Sequence, residues 1–123
     1  MGKLVYEQSL EFNRDLKKLL KRFPTLEEDL ETAKLNAIEL YHLHQIDNQS
    51  IFEIPQFCRE ELQICKLRKF ACKSIRGTGI RSGIRIIYAF FPHGNKILFL
   101  EIYYKGDKEN EDRERIKRFF KMR

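Results

Sequence analysis

The chain has 123 residues, 42% of them hydrophobic, with ten Phe and five Tyr. That suits one domain with one packed core and argues against two domains or a disordered chain. The net charge is +6, from 24 basic and 18 acidic side chains, and no apolar run approaches the ~20 residues that cross a bilayer. The start, Met-Gly-Lys-Leu-Val-Tyr-Glu, lacks the long apolar segment of a secretory leader. Three cysteines, Cys58, Cys65 and Cys72, are odd in number and form no CxxC pair. They read as reduced thiols in a cytoplasmic protein with no metal or other cofactor.

Leu4–Gln8 reads as a short strand. Ser9 caps a helix in which Phe12, Leu16, Leu19, Leu20 and Phe23 recur at helical spacing, with Arg14, Lys17, Lys18 and Lys21 on the other side. Pro24 ends it. Thr25 and Glu28 have capping-box spacing. A second helix carries Leu26, Leu30, Ala33, Ala37, Leu40 and His44 on one stripe. The tight Phe-Pro-Thr link predicts an antiparallel helical hairpin. His42 and His44 are two apart, so on a helix they face different ways and do not form a metal pair.

Asp47–Glu61 reads as a loop. Gln63–Phe70 alternates, with Cys65 and Leu67 on one face and Lys66 and Arg68 on the other. Gly83–Phe91 and Lys96–Tyr104 are strands around the turn Pro92-His93-Gly94-Asn95, which predicts an antiparallel hairpin. Lys105-Gly106-Asp107 breaks the sheet. A last helix, about Asn110–Lys121, has only Ile116, Phe119, Phe120 and Met122 as an apolar seam. The expected fold is therefore α+β, one domain over residues 1–123. A small antiparallel sheet carries an N-terminal helical hairpin on one face and a short C-terminal helix, with the opposite face left free.

The charge is not spread evenly. Arg59–Arg85 holds eight bases and two acids, so this stretch alone accounts for the net +6. From Leu62 to Leu100 there is no Asp or Glu. Such a field attracts a polyanion, most simply a nucleic-acid backbone. Arg85 is the most informative residue. It sits in the otherwise apolar run Ile84-Arg-Ile-Ile-Tyr-Ala-Phe-Phe and needs either a carboxylate such as Glu101 or an anionic ligand. Lys66, Arg68 and Arg85 together can surround a phosphodiester, and a Lys of lowered pKa among them can act as a base. The glycine-spaced segment Lys73–Gly83, with Lys73, Arg76 and Arg81, reads as a hairpin connection or a flexible arm on RNA backbone. Lys69 adjoins this basic run. It is not a phosphate-binding P-loop, because GxxxxGK[ST] is absent. Tyr88, Tyr103 and Tyr104 are candidates for stacking or proton donation, with core packing as the competing role.

Three runs, Cys65-Lys-Leu-Arg-Lys-Phe, Ser82-Gly-Ile-Arg-Ile-Ile-Tyr and Ile97-Leu-Phe-Leu-Glu-Ile-Tyr-Tyr-Lys-Gly-Asp-Lys, resemble the RelE/ParE superfamily of toxins from toxin–antitoxin modules. The flanking helices extend the resemblance over nearly the whole chain. For RelE-like members it implies a ribosome-dependent, metal-independent endonuclease that cuts mRNA, with the ribosome, the mRNA and a cognate antitoxin as partners. There the ribose 2′-hydroxyl attacks the adjacent phosphate, leaving a cyclic phosphate and a 5′-hydroxyl. The resemblance assigns Lys66 and Arg68 as base and charge stabiliser, Arg85 to the scissile phosphate, and Lys108 to the basic position after the last strand. Two departures stand out. Glu109–Arg123 contains neither the Tyr nor the His that RelE-like nucleases often carry, and the stretch from Phe70 to Gly83 is longer than their usual hairpin. ParE-like members share the fold and inhibit DNA gyrase instead, so a gyrase-directed toxin and a non-toxic basic RNA-binding homologue are the competing expectations.

Overall fold

The computed structural model describes residues 2–122. Five strands form one sheet: β1 (Val5–Gln8), β2 (Ile51–Glu53), β3 (Gln63–Leu67), β4 (Ile84–Phe91) and β5 (Lys96–Tyr104), in the spatial order β1-β5-β4-β3-β2. Three of the four pairings are antiparallel, and β1 adds to β5 in parallel. The α+β class and the β4–β5 hairpin are as the sequence predicts. The turn between them closes with Asn95 in the left-handed region, φ 48°, where Asn is among the better tolerated residues.

Helix α1 (Leu10–Leu20) starts at Ser9, whose hydroxyl accepts from the Phe12 amide at 3.1 Å. Its stripe of Phe12, Leu16 and Leu19 is buried. Helix α2 (Leu26–Ala33) continues through a π-helical turn, Lys34–Ile38, into α3 (Glu39–His42). The expected capping box is not made. Thr25 gives no side-chain cap; its hydroxyl donates to Asp29 at 2.6 Å and meets Ser74 at 2.7 Å. A tertiary partner has taken the hydroxyl from the local one.

These helices cover one face of the sheet. Cys65 and Leu67 of β3, Ile84, Ile86, Tyr88 and Phe90 of β4, and Ile97 and Phe99 of β5 join Phe12, Leu16, Leu30 and Ala37 in that core. Truncating a fully buried ring such as Phe12 would cost about 3–5 kcal/mol.

The opposite face is not free, contrary to expectation. Helix α4 (Arg113–Phe120), capped by Asp112, lays Ile116 over it. Ile54, Phe57 and Leu62 join it against Ile64, Ile87, Ala89, Leu98, Leu100 and Tyr103. The segment read as a loop, Asp47–Glu61, thus supplies both edge strand β2 and part of a second core. A β-bulge decides what else faces α4. Ile87 pairs with Glu101 but Tyr88 pairs with Phe99, which leaves Leu100 as the extra residue. The bulge reverses the alternation of β5, so Glu101 and Tyr103 lie on the α4 side and Ile102 turns towards α1. Arg115 of α4 closes the exposed margin of β5, donating to the Leu100 carbonyl at 2.9 Å and to Asp15 of α1 at 2.7 Å. No helix among the described residues is long and apolar enough to cross a membrane.

Candidate functional site: a cationic cleft

Alternation along β3 and β4 sends Lys66, Arg68 and Arg85 to the α4 side, away from α1 and α2, as predicted. Covering by α4 then divides that side in two. At the uncovered end Arg68, Lys69, Arg81, Arg85 and Lys105 line a cleft of about 490 Å³, together with Phe52, Ile80 and Gly83. No carboxylate lines it. Among the described residues none of these five cations is ion-paired.

Arg85 is half-buried, and its guanidinium donates to the Arg68 carbonyl at 2.8 Å. Burial, and after it the like charge of Arg68, pull its pKa down from the usual arginine value. A guanidinium nevertheless keeps its proton. The salt bridge to Glu101 that would have explained Arg85 is absent, because Glu101 is held by Lys108 and by the Asp112 amide. Arg68 lies over the Phe52 ring, 5.4 Å from its centroid. Gly83 has φ +89°, and a Cβ there would come within 3.2 Å of the Tyr104 ring. Its lack of a side chain lets the basic segment enter β4 at the cleft floor.

Lys66 and Lys108 behave differently. Lys66 donates to Glu111 at 2.9 Å, and Glu111 is buried. Burial is the largest single influence and opposes the charge on Lys66, but Glu111 and Tyr103 together outweigh it and its pKa is raised. Glu111 is lowered in turn: burial is the largest influence and raises it, but Lys66, its own backbone amide and Arg113 together outweigh burial. The expected base of lowered pKa is thus a firmly protonated cation. The Lys66 and Lys108 ammonium groups lie 5.8 and 5.2 Å from the centroid of the Tyr103 ring.

The tyrosines mostly pack. Tyr88 is fully buried under the hairpin helices, where its hydroxyl meets His42 Nε2 at 2.8 Å. Tyr103 is buried beneath Lys66 and Lys108. Neither presents a face to a ligand, so the stacking role expected for them does not hold. Tyr104 is half-buried, edge-on to Phe23 and 5.4 Å below Arg22.

The Lys73–Gly83 arm is pinned at both ends. The Lys73 amide donates to Asp29 at 3.1 Å, the Ser74 amide to Thr25 at 3.0 Å, and the Ser82 hydroxyl to the Phe70 carbonyl at 2.5 Å. Lys73 pairs with Glu28 at the start of α2, outside the cleft, and Arg76 is exposed but does not line it. Of the segment's three bases, Arg81 alone reaches the cleft. Three cleft residues carry no signal in the sequence: Phe52 belongs to a three-residue strand with no strand-like context, Ile80 is a lone apolar residue in the glycine-spaced segment, and Lys105 falls in the Lys-Gly-Asp sheet breaker. No group of three or more His, Cys, Asp or Glu among the described residues is placed to hold a metal ion.

Compared with known proteins, the chain matches no family model and no curated protein. The resemblance to RelE/ParE toxins therefore stands on the quoted runs alone.

Proposed function

We propose that this protein is the toxin of a toxin–antitoxin module, a cytoplasmic endoribonuclease that cuts mRNA on the ribosome without a catalytic metal. The observation that carries this reading is the carboxylate-free cleft, with Arg85 on β4 and Arg68 directly after β3 on the neighbouring strand, its carbonyl bonded by the Arg85 guanidinium. A phosphodiester is the ligand that such a set of unpaired forks fits best. In the reaction the ribose 2′-oxygen forms a bond to the neighbouring phosphorus and the bond to the 5′-oxygen breaks. The products are a 2′,3′-cyclic phosphate and a 5′-hydroxyl. The 2′-hydroxyl loses its proton and the departing 5′-oxygen gains one. Arg85 and Arg68 stabilise the charge that builds on the phosphoryl oxygens. Lys66, neutralised by Glu111, braces the covered end of the same sheet face. The antitoxin is an acidic segment that folds over this basic face.

A specific observation favours a second reading. Lys66 and Lys108, the expected catalytic lysines, are both tied to carboxylates and neither lines the cleft, so neither is placed there as a free base. A ParE-like toxin that binds DNA gyrase needs none. Induced expression with metabolic labelling separates the two: mRNA cleavage arrests protein synthesis, whereas gyrase inhibition damages DNA and filaments cells.

The direct test is cleavage of a translated message in a reconstituted translation system. Arg85→Ala should lower the rate by roughly 10²–10³, as expected for loss of one preorganised donor. Arg85→Lys should recover only part, since a point charge does not replace a fork. Cleavage should need no divalent metal beyond what ribosomes require. Full activity in an Arg85→Ala protein with native circular dichroism would overturn the mechanism.

A further inference from the structure

Two apolar side chains in the cleft are conspicuously uncovered. Phe52 is 43% and Ile80 is 51% exposed, while the other apolar residues of this sheet face are buried under α4. Phe52 pairs with Lys66 across β2 and β3, so its ring shares the face that presents Arg68 and Arg85. Ile80 comes from the pinned basic segment, next to Arg81. The cleft thus combines five cations with an aromatic wall and an aliphatic one, in a volume within the usual range for small-ligand sites. A bare polyanion would use the cations and leave the apolar walls in water.

We propose that Phe52 is a nucleobase platform: an unpaired base of single-stranded RNA stacks on its ring, against Ile80, while Arg68 and Arg85 hold the phosphate of the same nucleotide. This rests on the phosphate-binding reading of the cleft and adds the substrate class, single-stranded and not duplex RNA, because a base inside a helix has no free face to offer. Arg68 already lies against Phe52, so guanidinium and ring form one preorganised surface that meets both the charge and the π-face of a nucleotide.

The test uses the full chain and fluorescence anisotropy with a labelled 2′-O-methyl RNA octamer, which lacks the hydroxyl needed for cleavage. Comparison ligands are the same strand with abasic positions and the corresponding duplex. The wild-type protein should bind the base-bearing strand about 5- to 100-fold tighter than the abasic one, the range of one base–aromatic stack. Phe52→Ala should abolish that preference, and Phe52→Trp should keep it. Phe52 is on an exposed edge, so truncation leaves the core intact. A preference that survives Phe52→Ala, or equal wild-type binding of base-bearing and abasic strands or of duplex, overturns the platform. Arg85→Ala separates the two readings. If it weakens both strands while Phe52→Ala weakens neither, the platform fails and the phosphate cleft stands. If Phe52→Ala abolishes the preference while Arg85→Ala changes nothing, the platform stands and the phosphate assignment fails.

Discussion

Two ends of one sheet face treat their cations in opposite ways. At the end covered by α4, Lys66 and Lys108 lie beside Glu111 and Glu101, carboxylates whose side chains are each 3% exposed. At the open end Arg68, Lys69, Arg81, Arg85 and Lys105 meet no carboxylate. The covered cations stand against carboxylates that would otherwise be buried with less countercharge, so they belong to the architecture. The open cations repel one another and are kept together by the strands beneath them. That arrangement costs stability in the free protein, a cost that the proposed phosphate ligand would offset. Charge alone did not distinguish the two sets. The position of the last helix did.

The sharpest way to break this contrast is to remove the open pair. Arg68→Gln with Arg85→Gln should weaken binding of single-stranded RNA by roughly 10²–10³ at moderate salt. It should flatten the plot of log affinity against log salt by about 0.7, the share of the one phosphate that both arginines hold. The thermal midpoint should hold or rise slightly, because the repulsion between the two arginines is relieved. Anisotropy titrations across a salt series, with a melt of the same sample, read both quantities. A large fall in the midpoint with unchanged affinity would assign these arginines to the architecture instead.

The mirror experiment is Lys66→Met. It strands Glu111 in a buried site with only Arg113 beside it, at 3.0 Å. Stability by urea unfolding should fall by about 3 kcal/mol. Pairing it with Glu111→Leu should restore most of the loss, because no buried charge is then left alone. If the double variant is as unstable as the single one, the ion pair is not what Lys66 contributes.

Much of the fold could be read from local pattern. Alternation in Gln63–Phe70 placed Lys66 and Arg68 on one face, and the Pro92–Asn95 turn set the β4–β5 hairpin. The misses have physical causes. Ile51-Phe52-Glu53 is too short to show a period. The bulge at Leu100 reverses the faces of Glu101 and Tyr103, which nothing in the alternation of β5 announces. Lys66 finds Glu111 45 residues away, a distance over which neither composition nor spacing speaks. Tyr88 was legible: it shares parity with Ile84 and Ile86, and parity with buried neighbours predicts packing more strongly than its hydroxyl predicts chemistry.

A third electrostatic solution lies on the hairpin side, where His42 stacks on Phe90 at 4.0 Å and meets the Tyr88 hydroxyl. Burial lowers its pKa from 6.5 to about 4. Between those values the unfolded chain takes up a proton that the folded one refuses, so stability falls as pH falls through this window. From pH 7 to pH 5 the loss attributable to His42 should be about 2 kcal/mol. His42→Gln has no proton to gain there, and its unfolding free energy should fall less over the same range by that amount. Parallel pH profiles for the two proteins would remove His42 as the cause.

The smallest effect expected is also a test of which bases count. Lys73 lies in the most basic part of the sequence, and its charge alone would place it on the ligand. The structure instead pairs it with Glu28, both side chains more than 60% exposed, outside the cleft. An exposed pair of this kind contributes little to stability. What fixes this end of the segment is the Lys73 amide on Asp29, which a side-chain substitution leaves in place. Lys73→Ala should therefore leave the thermal midpoint essentially unchanged. It should weaken RNA binding far less than Arg81→Ala, although the two residues share one segment and one charge. Comparable losses from both variants in the same anisotropy titration would mean that the ligand follows the summed basic field, and the division between open and covered cations would lose its functional meaning.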